Sequence, residues 1–286
     1  MVIGNHEFDY GEAVLRQRIA EAQFPVLGAN VEGFDDGLKP YIIREVGGLR
    51  VAIIGVVTDD VPVTTAPGNA LGLKFDSTAE TVGRYVRKLR KEADLIIVLS
   101  HIGYSEDRRL AEEVKGINVI IGGHSHTRLD HPAVVGGTII LQAWEHAKAL
   151  GVLNVSVEGG KIERWDGRLE DIRPVPGRED RDVADIVDKY ERKVDAVLGE
   201  KIGVAGVYLD GQDVREKETN LGDFITDIMR NVSGADAAIT NGGMIRTGIP
   251  KGTIRAKDVY SVLPFDNYIV AVRLTGRQIL EALEHS

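Results

Sequence analysis

INVIIGGHSHT, residues 117–127, runs from an almost wholly apolar segment into two glycines and two histidines set two positions apart. Ile117–Gly123 lacks the polar alternation of a half-exposed strand, so it predicts a strand buried on both faces, as in a parallel sheet. Two more runs of this kind precede it. One is LIIVLS (Leu95–Ser100). The other is the second half of YIIREVGGLRVAIIGVVT (Tyr41–Thr58), a predicted hairpin about Gly47-Gly48. Helical spacing falls between them, over Ser77–Ala93, where Ser77 and Glu80 form a capping box, and over Arg108–Val114. This β-α-β alternation predicts a layered α/β core.

Further toward the N-terminus, Tyr10–Gln23 reads as a helix and Pro25–Val31 as a strand. From Gly136 the pattern becomes a succession of β-rich runs and glycine turns, predicting antiparallel strands. PVPGRED (Pro174–Asp180) breaks it. A charged helix over Arg181–Leu198 follows, with Val183, Ile186, Val187, Tyr190, Val194 and Val197 on one stripe. It reads as a connector into a second domain with a helix over Asn220–Asn231, a strand AAIT ending at Thr240, a strand over Ile269–Leu274 and a helix starting in TGRQILEALEHS. The expected division is 1–176, a connector at 177–199, and 200–286.

A hydrophobic content of 43% with 28% charged residues predicts a packed globular fold. The net charge of −9 argues against a nucleic-acid polymer as partner, because such partners meet a basic face. There is no cysteine, so disulfides and thiolate metal sites are excluded, and any metal must be held by His, Asp, Glu, Asn or carbonyl oxygen. No stretch approaches the roughly 20 apolar residues of a membrane span.

Four of the seven histidines sit in three short turns at strand ends: GNHEFD (Gly4–Asp9), SHIG (Ser100–Gly103) and GGHSHT (Gly122–Thr127). In an open α/β sheet the carboxyl ends of the strands share one edge, so these turns can meet. On an extended segment the two imidazoles of GHSH point the same way. Histidine with a neutral asparagine carbonyl suits divalent ions such as Mn, Zn or Co. Asp9, three residues after His6, can turn back to hydrogen-bond it, which fixes the tautomer and suits a proton donor to a leaving alkoxide.

GNHEFD, then HIG after an apolar strand, then GGHSH resembles the 5′-nucleotidase family of calcineurin-like metallophosphoesterases. ETNLGDFITD (Glu218–Asp227), NGGMIR (Asn241–Arg246) and LPFDN (Leu263–Asn267) resemble that family's nucleotide-binding domain. The resemblance implies a layered metallophosphoesterase β-sandwich flanked by helices and a partial second α/β domain. It implies two divalent metal ions, with Asn5, His101 and His124 on one and His126 on the other. His6, oriented by Asp9, would protonate the leaving group or stabilise the transition state, and a metal-activated water would be the nucleophile. Arg246 would pair with the phosphate, Asn241, Gly243 and Asn267 would line the nucleoside site, and Phe265 would stack on the base. Lys217 stands where the family usually has an arginine and would serve as a point charge.

The family's D-x-H motif and bridging aspartate precede its GNHE and have no counterpart in the 286 residues. The resemblance therefore implies a chain truncated at both ends and inactive by itself. The implied function is hydrolysis of nucleoside 5′-monophosphates by an exported protein. Alternatives on the same metal centre are 2′,3′-cyclic nucleotides, UDP-sugars or a sulfur ester; a further alternative is a non-catalytic nucleotide-binding surface protein.

Overall fold

The computed structural model describes residues 1–34, 37–66 and 68–284. The chain folds as two units, Met1–Pro174 and Val175–Ser286.

The first unit is organised by a six-stranded mixed sheet. Its strands are β1 (Tyr41–Val46), β2 (Leu49–Val57), β3 (Leu95–His101), β4 (Val119–Gly122), β5 (Ala133–Val135) and β6 (Thr138–Gln142). They lie in the order β1-β2-β3-β4-β6-β5. The pairs β2/β3, β3/β4 and β4/β6 are parallel; β1/β2 and β5/β6 are antiparallel. The expected run of antiparallel strands after Gly136 is thus corrected at β6, which lies parallel to β4. The antiparallel pattern resumes in the long ladder of β7 (Ala149–Glu158) and β8 (Lys161–Asp171).

The continuous apolar runs are explained by burial on both faces of the sheet. Ala52, Ile54 and Val56 pack with Val82, Val86 and Leu89 of α2 (Thr78–Leu89) and with Leu110 and Ala111 of α3 (Tyr104–Glu113), while the first helix of the unit, α1, covers Glu12–Glu21. Val57, one residue out of phase, belongs to a second cluster with Ile3, Phe8, Leu15, Ile19 and Val61. Ser77 caps α2 by accepting from the Glu80 N–H at 3.5 Å. Helix α3 starts four residues before the predicted Arg108, because its first N–H, on Tyr104, donates to Ser125 Oγ at 3.0 Å. That cap comes from 21 residues away, so local sequence does not announce it. The predicted strand Pro25–Val31 is split into Val26–Leu27 and Val31–Glu32. The cause is Asn30, whose buried side-chain amide donates to Val57 O at 2.7 Å and accepts from Val57 N at 3.1 Å.

In the second unit, α4 (Arg181–Leu198) is capped by Asp180, which accepts from Val183 N at 3.1 Å. Its apolar stripe is exposed. Leu221 and Ile225 of α5 (Asn220–Ser233) form a core with Ile245, Ile249 and Val262. The strands predicted at Ala237–Thr240 and Ile269–Leu274 are absent. A strand needs a hydrogen-bonded neighbour, and among the described residues neither segment pairs with one; Val270 and Val272 stand exposed. The last helix covers Gly276–Glu284, and the final two residues of the predicted one lie outside the described residues. No described helix is long and apolar enough to cross a membrane.

The parallel strands β3, β4 and β6 end at the same edge of the sheet. His101 is the last residue of β3, His124 follows β4 by two residues, and Gln142 is the last residue of β6.

Candidate metal centre

Asn5 joins this edge from the N-terminal segment. The Ile3 N–H donates to Leu27 O at 3.1 Å, and the chain then turns into a short 3-10 helix, Asn5–Phe8. Phe8 is fully buried and meets Phe75 edge-on with ring centroids 5.6 Å apart, which pins the turn. Glu7 reaches back to accept the Gly4 N–H. So held, Asn5 is 3% exposed, with its carbonyl Oδ1 3.1 Å from His101 Nε2 and 3.2 Å from His124 Nδ1. The His101 and His124 rings lie 5.1 Å apart, edge to face. Burial pushes the His101 imidazole down to about 4, and the nearby His124, His6 and His126 push the same way. His101 is therefore neutral near pH 7, with a lone pair to offer.

His6 lies on the same turn. Its Nδ1 is 2.9 Å from Asp9 Oδ2. Asp9 is held in turn by Asn69, whose Nδ2 donates to the Asp9 carbonyl at 2.8 Å.

The GHSH turn is not the extended segment predicted. His124 and His126 have φ of 71° and 56°, in the left-handed region that non-glycine residues rarely adopt. Consequently the two rings face different partners. His124 faces Asn5, whereas His126 Nδ1 is 3.0 Å from Glu145 Oε2. His146 Nε2 is 3.7 Å from that same oxygen. Ligand atoms of His126, Glu145 and His146 all lie within 4.8 Å of one another. Burial opposes ionisation of Glu145, but hydrogen bonds from Lys148 and His126 outweigh it and hold its carboxyl below the ordinary range.

The structure thus brings Asn5, His101 and His124 together, with His6–Asp9 beside them, and sets His126 in a neighbouring His–Glu–His group. The donors of the first group are two imidazoles and one amide carbonyl, all neutral and none sulfur, a set that fits a borderline divalent ion. Three further residues escape the sequence reading. Glu145 sits in an unremarked WEH turn. Gln142 carries a faint signal, as the single polar residue closing the apolar strand TIILQ. Asp107 of α3 is wholly buried, and both its oxygens lack hydrogen-bond partners among the described residues. Burial pushes its carboxyl up to about 7, and the negative charge of Glu106 adds to this.

In the second unit Asn241 caps the 3-10 turn Gly242–Met244, accepting from Met244 N at 3.1 Å. Arg246 Nη1 donates to Gly243 O at 3.3 Å, and its guanidinium lies 5.7 Å from the Phe265 ring centre. The Asn267 N–H donates to Phe265 O at 2.8 Å. Lys217 Nζ lies 2.6 Å from Asp213 Oδ2. Arg215, which the sequence reading passes over, is the cation beside the NGG turn: a Cβ at Gly243 would lie 3.7 Å from its Nη2.

Residues 201–286 match the model of the 5′-nucleotidase C-terminal domain, and residues 4–141 match that of the bacterial capsule synthesis protein PGA_cap. The chain is 36% identical to the trifunctional nucleotide phosphoesterase protein YfkN of Bacillus subtilis, over 99% of its own length and 23% of that protein. It is 33% identical to snake venom 5′-nucleotidase from Crotalus adamanteus, over all of its own length and 56% of the relative. Among solved structures it resembles the 5′-nucleotidase precursor of Thermus thermophilus, with a TM-score of 0.85 and 37% identity over 99% of this chain and 61% of that one. The chain therefore spans about a quarter to three fifths of the relatives it matches.

Proposed function

The chain belongs to the 5′-nucleotidase family, and from that premise we propose that it hydrolyses phosphate monoesters of nucleosides, with the metal chemistry centred on Asn5, His101 and His124. The observation that carries the proposal is the convergence of the Asn5 carbonyl on His101 and His124 at 3.1 and 3.2 Å. These three residues would hold one divalent ion of Mn, Zn or Co type, and His126 would serve a second. Such ions, when bound, polarise the phosphoryl oxygens and make an attacking water acidic.

The remaining steps belong to side chains. Asn5 offers its carbonyl to the ion and keeps two amide N–H donors for a phosphate oxygen. His6 donates a proton to the departing 5′ oxygen. The ring acts as the imidazolium: Asp9 accepts from Nδ1–H and stabilises the charged ring, and Nε2 carries the proton that is delivered. In the second unit, Arg246 pairs with the phosphate, Phe265 stacks on the base, and Asn241, Gly243 and Asn267 line the nucleoside site. Arg215 replaces Lys217 as the second cation there. An exported location accompanies this reading, as for the venom relative.

The test is phosphate release from AMP with and without Mn²⁺, measured on the protein as encoded in full. Activity that requires Mn²⁺ and falls about 100-fold or more in His101→Ala is expected, since loss of a ligand removes the ion's contribution. Undiminished turnover in His101→Ala would sink the proposal.

A further inference from the structure

The structure assigns to Gln142 the role of positioning residue for both histidines of the GHSH turn. The inference rests on the reading of His124 and His126 as metal ligands, but its geometry stands independently of any ion.

Five non-glycine residues among those described have φ in the left-handed region: His124, His126, Trp144, His146 and Ala147. All five lie in the two loops that follow β4 and β6. Such conformations persist only where the surroundings over-determine them, and they concentrate at functional sites. For His124 and His126, in the loop after β4, Gln142 supplies that determination. Its side chain is 1% exposed at the end of β6. Its Nε2 donates to Gly123 O at 2.6 Å, fixing the residue before His124. Its Oε1 accepts from the Thr127 N–H, fixing the residue after His126. The same Oε1 accepts from Ser125 Oγ at 2.9 Å, fixing the residue between them. One amide therefore grips the turn at three successive odd positions, and the intervening even positions are the two histidines. Ser125 carries the hold onward, since its Oγ also accepts the first N–H of α3 at 3.0 Å. An amide meets these demands on two separate atoms, having N–H donors on one and an acceptor oxygen with two lone pairs on the other. The register of β6 against β4, with Gln142 opposite Gly122, sets that amide beneath the turn.

The experiment compares the 286-residue chain with its Gln142→Leu and Gln142→Glu variants by long-range ¹H–¹⁵N spectra of the imidazole rings, without metal. Leucine removes every contact. Glutamate keeps the acceptor oxygen and loses the donor to Gly123. Gln142→Leu is expected to shift the ring signals of His124 and His126 while leaving His131 at its wild-type position. Gln142→Glu should shift mainly His124, next to the lost bond. Unchanged His124 and His126 signals in either variant would overturn the assignment. So would equal shifts in all seven histidines, the mark of a purely global effect. Should Gln142→Leu fail to fold, the selective shift in Gln142→Glu carries the decision alone. Calorimetric titration with Mn²⁺ is the second readout, with a loss of roughly 10- to 100-fold in affinity expected for a partner that orients ligands. If the wild-type chain binds no Mn²⁺, the metal reading of the turn fails, and the ring spectra still decide the role of Gln142.

Discussion

A Cβ placed on Gly4 would stand 2.6 Å from Nε2 of His101. The backbone of the N-terminal turn and the imidazole at the end of β3 are thus in direct contact, and the absence of a side chain at residue 4 is what lets Asn5 and His101 meet. Gly4 has φ of −118°, a value open to any residue, so substitution costs nothing in backbone conformation. The whole effect of Gly4→Ala falls on the ring. The imidazole has to move away from Asn5 Oδ1, and Mn²⁺ affinity is expected to drop about 10-fold or more, as when a ligand's orienting partner is lost. Calorimetric titration checks this, with a melting curve on the same sample; an unaltered affinity would show that His101 is not held as described.

Asp107 predicts how stability varies with pH. Its carboxyl is pushed up to about 7 in the fold, from an ordinary value of 3.8. Between these values the folded chain holds a proton that the unfolded chain has released, so the stabilisation is complete below about 3.8 and is lost as pH rises through 7. His101 acts in the opposite sense. With its folded value at about 4 against 6.5, stability is complete above 6.5 and is lost as pH falls toward 4. Asp107→Asn keeps the shape and removes the charge. Its melting temperature relative to wild type is expected to rise from about pH 4 to 7 and then level off, by about 1 kcal/mol per pH unit, or roughly 2–4 °C for a unit of this size. Parallel melting curves across that range would refute the buried-acid account.

Whether a feature was legible in the sequence depended on whether it was local. The apolar runs of β2, β3 and β4 show burial on both faces directly, and the Ser77 cap and the Gly47-Gly48 hairpin are written in adjacent residues. The meeting of the SHIG and GGHSH turns follows from strand ends sharing one edge, whereas the GNHEFD turn follows no strand of that sheet, only a single bridge at Val2. The start of α3 and the break at Asn30 were not visible, because Ser125 and Val57, which cause them, are distant in the chain. The left-handed GHSH turn was hidden for the same reason: positions 124 and 126 are themselves not glycine, and the amide that enforces them lies 15 or more residues later. In the second unit the Ile269–Leu274 run has strand composition without a pairing partner among the described residues, so propensity had nothing to act on.

Arg215 and Lys217 make opposite predictions. Lys217 is committed to Asp213 on an exposed surface, whereas Arg215 borders Gly243 of the NGG turn. Arg215→Ala is expected to weaken AMP binding about 10-fold or more, the scale of a lost charge-assisted hydrogen bond. Lys217→Ala is expected to stay within about twofold, as surface ion pairs contribute little. Equilibrium titration with AMP distinguishes them, and the reverse ranking would return the role to Lys217.

The pairing of His6 with Asp9 at 2.9 Å specifies which substrates should feel its loss. A nucleoside 5′-phosphate expels a strongly basic alkoxide, which needs a proton as the bond to phosphorus breaks. 4-Nitrophenyl phosphate expels a stable phenolate and does not. If the imidazolium form of His6 supplies that proton from Nε2, and Asp9, accepting from Nδ1–H, stabilises the charged ring, Asp9→Asn should slow AMP hydrolysis by roughly 100-fold, within the range of general acid catalysis. The same variant should slow 4-nitrophenyl phosphate only a few-fold, and KM for AMP should scarcely move, because the proton transfer acts in the transition state. Asparagine retains a hydrogen-bonding oxygen, so the turn held by Asn69 and the buried Phe8 is expected to remain folded, with a wild-type melting temperature as the control. Equal losses on both substrates would instead assign the pair to phosphate binding, and the acid role of His6 would be abandoned.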